Sequence, residues 1–391
     1  MNGDPFANVR ASFSGAAKQV YLDVASRSLI PDSALKIAEE HLQDRVRGRV
    51  DKKRYFDIVE EARSRFAKLI GAHPSEIALT KNVSEGLNII AAAIEWRPGD
   101  EVVLCSDIEH PNNVYSWRNQ ERRGAVIVDL PSENGEFPLG AVVARLRDKK
   151  PPRVVTVSAT SFRPGFRTDL QVLGAECECS GTLLVVDGAQ SVGVNHLDVS
   201  TSKISALAVS TQKGLCALYG MGFLYVQRDV AESLKPPQLA RFGVDISATH
   251  EADYDKGTIQ FRKAALRFDL GNYNFLAANL VNHSMALIET CGTIKIDKHV
   301  TRLADILSSD LIAGGLPVLS PTLGPRSHIV CLSLKDEKDS AASLQKSLAG
   351  DGVLAAVRAN MLRFSIHFYN NEQDIRRASE AVRKWYRSSR P

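Results

Sequence analysis

The sequence predicts an α/β fold in which a large, doubly wound and mostly parallel sheet domain is followed by a smaller α+β C-terminal domain. Three observations lead there. Six short apolar runs, Glu101–Cys105, Ala125–Leu130, Val154–Ser158, Leu183–Val186, Ile204–Val209 and Gly222–Val226, are separated by segments of helical periodicity. The runs are continuous and not alternating, as expected of strands covered on both faces. From about residue 275 the pattern changes to a long helix, two well-separated strand candidates and a final helix.

Taken in order, residues 1–20 form an N-terminal segment expected to pack near the smaller domain. Leu35 to Val50 and Tyr55 to Ile70 read as amphipathic helices, the second with Ile58, Ala62, Phe66 and Leu69 on one face. Ser84 opens a helix that runs to about Trp96. The six strands follow, and the large domain spans 21–270. The smaller domain, 275–391, begins with a helix through Phe275–Thr290. It continues with strand candidates His328–Leu334 and Leu362–His367, and ends in a helix from about Glu372. There are no internal repeats or low-complexity tracts.

At 391 residues, 44% of them hydrophobic, the chain can bury a sizeable core. A net charge of +4 and basic pairs no longer than Lys52-Lys53 and Lys149-Lys150 argue against nucleic acid and against an anionic membrane as partners. No apolar stretch approaches the roughly 18 residues of a membrane span. The N-terminus, Met-Asn-Gly-Asp-Pro, lacks the charged start and apolar core of a signal peptide. A soluble, cytoplasmic protein is expected. Among six cysteines only Cys177 and Cys179 are close, without zinc-site spacing, so buried reduced thiols and no metal are expected.

The chemistry concentrates at two strand ends. Asp187 follows the Leu183–Val186 run, and Lys213, twenty-six positions later, follows Ile204–Val209 and Ser210. Open α/β sheets place ligands at this edge. A carboxylate and a lysine delivered there together are what a pyridoxal phosphate enzyme needs: the amine forms the Schiff base and the acid keeps the pyridine nitrogen protonated. Ser84, at a helix N-terminus, offers a hydroxyl beside free backbone N–H groups and suits a phosphate, although a plain capping role uses the same residue type.

These features lie within a longer series: Tyr21-Leu-Asp-Val-Ala25, Leu79-Thr-Lys-Asn-Val-Ser-Glu-Gly-Leu-Asn88, Glu109-His-Pro-Asn-Asn113, Pro164-Gly-Phe-Arg-Thr-Asp-Leu170, Asp187-Gly-Ala-Gln190, Ser210-Thr-Gln-Lys213, Arg267-Phe-Asp-Leu-Gly271 and Leu362-Arg-Phe-Ser-Ile-His-Phe-Tyr-Asn370. In this order they resemble the class V aminotransferase family of fold-type I pyridoxal 5′-phosphate enzymes, which includes cysteine desulfurases, kynureninases and isopenicillin-N-epimerase-like proteins. The resemblance implies that Lys213 carries the cofactor and that Asp187 holds its ring nitrogen. It also implies that the Val83 backbone, Ser84, Ser210 and Gln212 hold the phosphate, that His110 stacks on the ring, and that Gln190 donates to the phenolate oxygen. Arg363 is implied to grip the substrate α-carboxylate, and Asn272 to reach the cofactor of a second subunit in a homodimer.

Several positions depart from the family pattern. Gln212 stands where many relatives have histidine, Pro111 where desulfurases have a second histidine, Asn272 where threonine is common, and Phe162 where desulfurases place an asparagine against the ring. Ser343 to Asn360 contains no cysteine, so the persulfide route of desulfurases is not expected. The reaction implied is on an amino acid, through an external aldimine and Cα deprotonation by Lys213, of aminotransferase type. A β-lyase acting on a cysteine conjugate or sulfoxide, and an epimerase, remain alternatives, and a non-catalytic cofactor-binding module is disfavoured by the presence of both Lys213 and Asp187. Loops 237–262 and 335–360, with Arg241, Arg262 and Arg358 as candidate readers of a second acidic group, are the expected seat of substrate selectivity.

Overall fold

In the computed structural model the described residues are 5–245, 258–319, 321, 326–334 and 340–388. Parts of the expected selectivity loops, 246–257 and 335–339, lie outside them, as do residues 1–4 of the N-terminal segment. The strands are β1 (Val20–Tyr21), β2 (Ile77–Thr80), β3 (Glu101–Leu104), β4 (Val126–Asp129), β5 (Val154–Ser158), β6 (Leu183–Asp187), β7 (Ala206–Ser210), β8 (Gly222–Val226), β9 (Val318–Leu319), β10 (Ile329–Ser333), β11 (Val353–Leu354), β12 (Ala356–Arg358) and β13 (Met361–Ser365).

The large sheet runs β2-β8-β7-β6-β5-β3-β4. Its centre, β4-β3-β5-β6-β7, is parallel, and β8 closes one side antiparallel to both β7 and β2. All six expected strands are present. The seventh, β2, is a short Ile-Ala-Leu-Thr run that the sequence pattern did not separate from the helix after it. Alternate residues feed two cores, which is what doubly wound means in packing terms. Val103, Val155, Val157, Leu184, Val186, Leu207 and Val209 share one core with the helices Lys52–Ile70, Leu170–Ser180 and Phe275–Cys291. Val102, Leu104, Val154, Val185, Ala206 and Ala208 face the helix Val83–Ala93 and Trp117.

Local chemistry sets the helix limits. Asp51 accepts from Arg54 N and starts its helix at Lys52, three residues before the apolar periodicity begins, and Gly71 in the left-handed region (φ 73°) stops it. The preceding helix, Ser33–Val46, is less amphipathic in place than its sequence suggests: Ala34 is buried, but Leu35, Leu42 and Val46 are exposed.

The second sheet, β12-β13-β10-β9, is antiparallel, with the helices Thr293–Ala313, Ser340–Gly350 and Glu372–Ser388 around it. Residues near the N-terminus pack on this part of the chain. β1 pairs with β11, Phe13 lies against Phe368 and Tyr369, and Arg10 bridges to Asp374 at 2.6 Å. Among the described residues no helix is long and apolar enough to cross a membrane, and no cluster of three or more metal-ligating side chains occurs. All six cysteines are free, with Cys179 exposed and the rest buried.

The helix Val83–Ala93 sits unusually close to the sheet because Gly86 lacks a side chain; a Cβ there would lie 2.9 Å from the Ala208 Cβ. Replacing it overpacks that contact. Gly86→Val is expected to lower the chemical-denaturation stability by about 1–3 kcal/mol, whereas Gly140→Val, also in a helix but with open space around it, should be near neutral or slightly stabilising because valine is the better helix former. Equal losses in the two variants would rule out the close helix–sheet approach as the cause.

Candidate functional site

Parallel register brings the ends of β5 and β6 level, with β7 running two residues further. Ser158 pairs with Asp187, and Asp187 with Ala208, so Asp187 and the Ser210–Lys213 turn emerge side by side. Asp187 is buried, and its Oδ1 accepts from Ala189 N at 2.8 Å while Oδ2 has no donor among the described residues. Burial pushes its carboxyl above the usual range, against the opposing pull of the Ala189 amide and of Lys213. The Lys213 amine, which makes no hydrogen bond among the described residues, is pushed down to about 8 by burial, with Asp187 opposing and Arg363 and Arg358 reinforcing.

The backbone around Lys213 is clamped. Ser28 N donates to Gln212 O at 2.9 Å, His367 Nε2 to Gly214 O at 2.9 Å, and Cys216 N to Lys213 O at 3.0 Å. Two glycines make this possible: a Cβ on Gly193, whose φ is 91°, would lie 2.3 Å from Gly214 O. The Gln212 side chain takes no part in these bonds.

Opposite the lysine lies the start of the helix Val83–Ala93, capped by Asn82, whose side chain accepts from Glu85 N. Val83 N donates to Ser210 Oγ at 2.8 Å, and Asn112 Nδ2 donates to Ser84 Oγ at 2.6 Å. The Ser84 amide has no acceptor among the described residues, so an N–H and two hydroxyls converge at a helix N-terminus. His110 caps the next helix, Pro111–Arg118, with Nδ1 accepting from Asn112 N. Its ring meets Phe162 edge-on at 4.8 Å, and burial, followed by the charges of Lys213, Arg358 and Arg363, holds its pKa below the usual value.

Arg363 lies fully buried beside Phe162, with its guanidinium 5.4 Å from the ring centroid. Nη1 donates to Phe162 O at 3.3 Å and Nη2 to Ser26 Oγ at 3.2 Å, leaving Nε without a partner. Burial and the neighbouring Arg358 push this guanidinium down to about 10. Gln190 donates from Nε2 to Ala25 O at 3.2 Å, and its buried Oε1 is unpartnered. As placed, that amide must turn before it can donate elsewhere.

The structure therefore gathers Val83, Ser84, His110, Asp187, Ser210, Lys213 and Arg363 around one edge, with Gln190 and the Gln212 backbone in the surrounding network. Asn272 is different: it is exposed, in the left-handed region at φ 47°, and makes no hydrogen bond among the described residues. Three participants were not singled out from sequence. Glu109 is a fully buried carboxyl whose oxygens accept from Ser158 N, Ser158 Oγ and Asn113 Nδ2; Asn112 orients Ser84; and Ser26 joins two arginines. Glu109 and Asn112 lie within the quoted Glu109–Asn113 motif, whereas nothing local marks Ser26. Arg358 donates to Ser26 Oγ at 2.5 Å, while Arg262 donates to Phe242 O away from this network.

The open valences suit pyridoxal 5′-phosphate. Among the described residues Asp187 Oδ2 lacks the donor that a protonated ring nitrogen would supply, the Ser84 amide lacks the acceptor that a phosphate would supply, and the Lys213 amine makes no hydrogen bond. A cavity of about 430 Å³ elsewhere is lined by Arg167, Asp169, Asn195 and His196, and by none of these residues.

Comparison with known proteins places the whole chain in a family. The family model described as aminotransferase class-V matches residues 20–378. An uncharacterized aminotransferase of Bacillus subtilis is 26% identical over 374 residues, covering 95% of this chain and 96% of the relative. A probable cysteine desulfurase of Methanothermobacter thermautotrophicus is 27% identical over 400 aligned residues, covering 96% of each chain. The apo structure of a cysteine desulfurase from Thermococcus onnurineus superposes with a TM-score of 0.86 at 22% identity, covering 97% of this chain and 98% of that one. With nearly its whole length matched, the chain belongs to the class V aminotransferase family, whose membership implies pyridoxal 5′-phosphate as the cofactor.

Proposed function

We propose that this protein is a pyridoxal 5′-phosphate enzyme of aminotransferase type acting on a free amino acid. The observation that carries the reading is the placing of Asp187 at the end of β6 and of Lys213 in the turn after the adjacent parallel strand β7, both without a full set of protein partners among the described residues. When bound, the cofactor supplies an electron sink for charge developing at the substrate Cα. Lys213 is the residue to hold it covalently, and the freed amine, near pKa 8, is suited to take the Cα proton at neutral pH. Asp187 is the acceptor for a ring N–H, Ser84, Ser210 and the helix N-terminus are the phosphate contacts, and His110 is the ring contact. Arg363 is assigned the α-carboxylate, because a planar guanidinium with an unpartnered Nε offers parallel donors to two oxygens.

We read residues 21–270 as the cofactor-binding domain and 275–391 as a smaller domain that brings Arg363 to it. Because Asn272 is exposed, a partner subunit of a homodimer is the place where it would act. Desulfurase chemistry lacks support in the chain itself. Between Ser340 and Arg363 there is no cysteine, and β12 passes to β13 through only Ala359 and Asn360. β-Elimination and epimerisation share the residues assigned here and are separated by products.

Glu109 gives the site a second buried carboxyl beside Asp187. Burial raises its pKa to about 7 from 4.5, with Asp187 adding to the rise and its hydrogen bonds opposing it. A folded-state pKa above the unfolded one favours folding while the group is protonated, and that contribution is lost as pH rises from about 4.5 through 7. Relative to the wild type, Glu109→Gln should therefore gain stability of order 1–3 kcal/mol between pH 5 and 8; a difference that stays flat with pH would show that Glu109 does not titrate in this range.

Lys213→Ala is expected to keep cofactor bound without a covalent link and to lose turnover entirely. Activity near the wild-type level in that variant would remove Lys213 from its role. The class of reaction is read from products with single L-amino acids: a keto acid formed only in step with an added keto-acid acceptor supports transamination. Pyruvate and ammonia accumulating without an acceptor would assign a β-lyase instead.

A further inference from the structure

The strongest unused feature of the molecule is a second arginine beside Arg363. β12 and β13 form a hairpin in which Ala356 pairs with Arg363 and Arg358 with Met361. Directly paired residues of an antiparallel ladder share a face, and so do residues two apart on one strand, so Arg358 and Arg363 lie as diagonal neighbours on the same face. The turn between them is only two residues, with Ala359 in the left-handed region at φ 52°, which leaves little freedom in how Arg358 is presented.

Both guanidiniums donate to one oxygen, Ser26 Oγ, at 2.5 Å from Arg358 and 3.2 Å from Arg363. Neither forms an ion pair with a carboxylate among the described residues. The nearby acid, Asp23, has its buried Oδ1 unpartnered and reaches neither of them. Two like charges held together with a neutral hydroxyl between them repel, and the arrangement is stabilised when an anion arrives. Arg363 also lies against Phe162, whose ring meets His110 edge-on, so the Ser26-linked pair adjoins the His110 side of the site. A single α-carboxylate occupies Arg363, and the phosphate contacts lie at Val83, Ser84 and Ser210. One cation is left over.

We propose that Arg358 is a specificity-determining residue that binds a second, side-chain carboxylate, so that the substrate is an acidic amino acid. The inference rests on the amino-acid chemistry proposed above but concerns recognition, and its test requires no turnover. The holoenzyme is titrated calorimetrically with amine-free analogues: succinate and glutarate as dicarboxylates, butyrate as the monocarboxylate. The better of the two dicarboxylates is expected to bind at least about tenfold more tightly than butyrate, the factor expected of one added charge-assisted contact.

Arg358→Gln should abolish that preference while weakening butyrate by less than about threefold, and Arg358→Lys, which keeps the charge but not the fork, should retain part of it. Arg363→Gln should weaken both classes together. Equal loss of butyrate and dicarboxylate binding in Arg358→Gln would overturn the proposal, because both arginines would then grip one carboxylate. A wild-type enzyme that does not distinguish the two classes would overturn it as well. Because affinity is read without reaction, either result leaves the assignment of transamination or β-elimination to its own product test.

Discussion

Everything at the candidate site depends on the register of three parallel strands. β5 and β6 end level and β7 runs two residues further, so residues far apart in sequence reach the same edge: Ser158 opposite Asp187, Asp187 opposite Ala208, and Ser210 just beyond. In a parallel sheet each strand needs a crossover before the next, and the candidate site residues lie where the C-terminal ends of these strands open on one side. A shift of one residue in β6 would send Asp187 to the opposite face. The apolar strand interiors, fully buried on both sides, are what hold that register.

The cost of the site is electrostatic. Asp187, Lys213 and Arg363 lack a full set of partners among the described residues, and burial is the largest influence on each, raising the acid and lowering the bases. Uncompensated burial of this kind is expensive, and structures retain it where an incoming ligand completes the pairing. Elsewhere the chain compensates its buried charges internally. Arg63 bonds Asp269 at 2.7 Å, and Asp269 also accepts from Leu79 N and Tyr273 Oη, so that ion pair fastens β2 to the helix Lys52–Ile70 and closes on itself. The contrast between a satisfied structural pair and an unsatisfied cluster separates scaffold from site on physical grounds.

The substrate side of the site is assembled by both ends of the chain. Leu22 accepts from Ser365 N, β1 pairs with β11, and Ala25 N donates to Ser365 Oγ, which delivers Ser26 to Arg358 and Arg363. The same stretch supplies Ser28 to the Gln212 carbonyl and Ala25 O to Gln190. A short N-terminal segment thus links the lysine loop to the arginine hairpin and fixes the distance between the two.

The sequence by itself determined the elements whose signal is local. Continuous apolar runs specify strands, so six of the seven strands of the large sheet were legible, among them the partly exposed edge strand β4, as was the helix from Glu372; Asp187 stands out because it follows such a run directly, and Lys213 because it follows one within a short turn. The edge strand β2 was not, since four residues between a 3₁₀ turn and a helix carry no periodicity of their own. Candidate residues were legible where a motif surrounds them, as for Ser84, His110 and Arg363, yet their partners were not. Only the tertiary structure decided that Ser26 joins two arginines, that Glu109 lies buried beside Asp187, that Gln190 spends its donor on Ala25, and that Arg358, one of three arginines singled out in the sequence, shares Ser26 with Arg363 while Arg262 bonds elsewhere. The Ser26 and Gln190 contacts join segments far apart in sequence, and no local pattern encodes which distant backbone will arrive opposite a side chain.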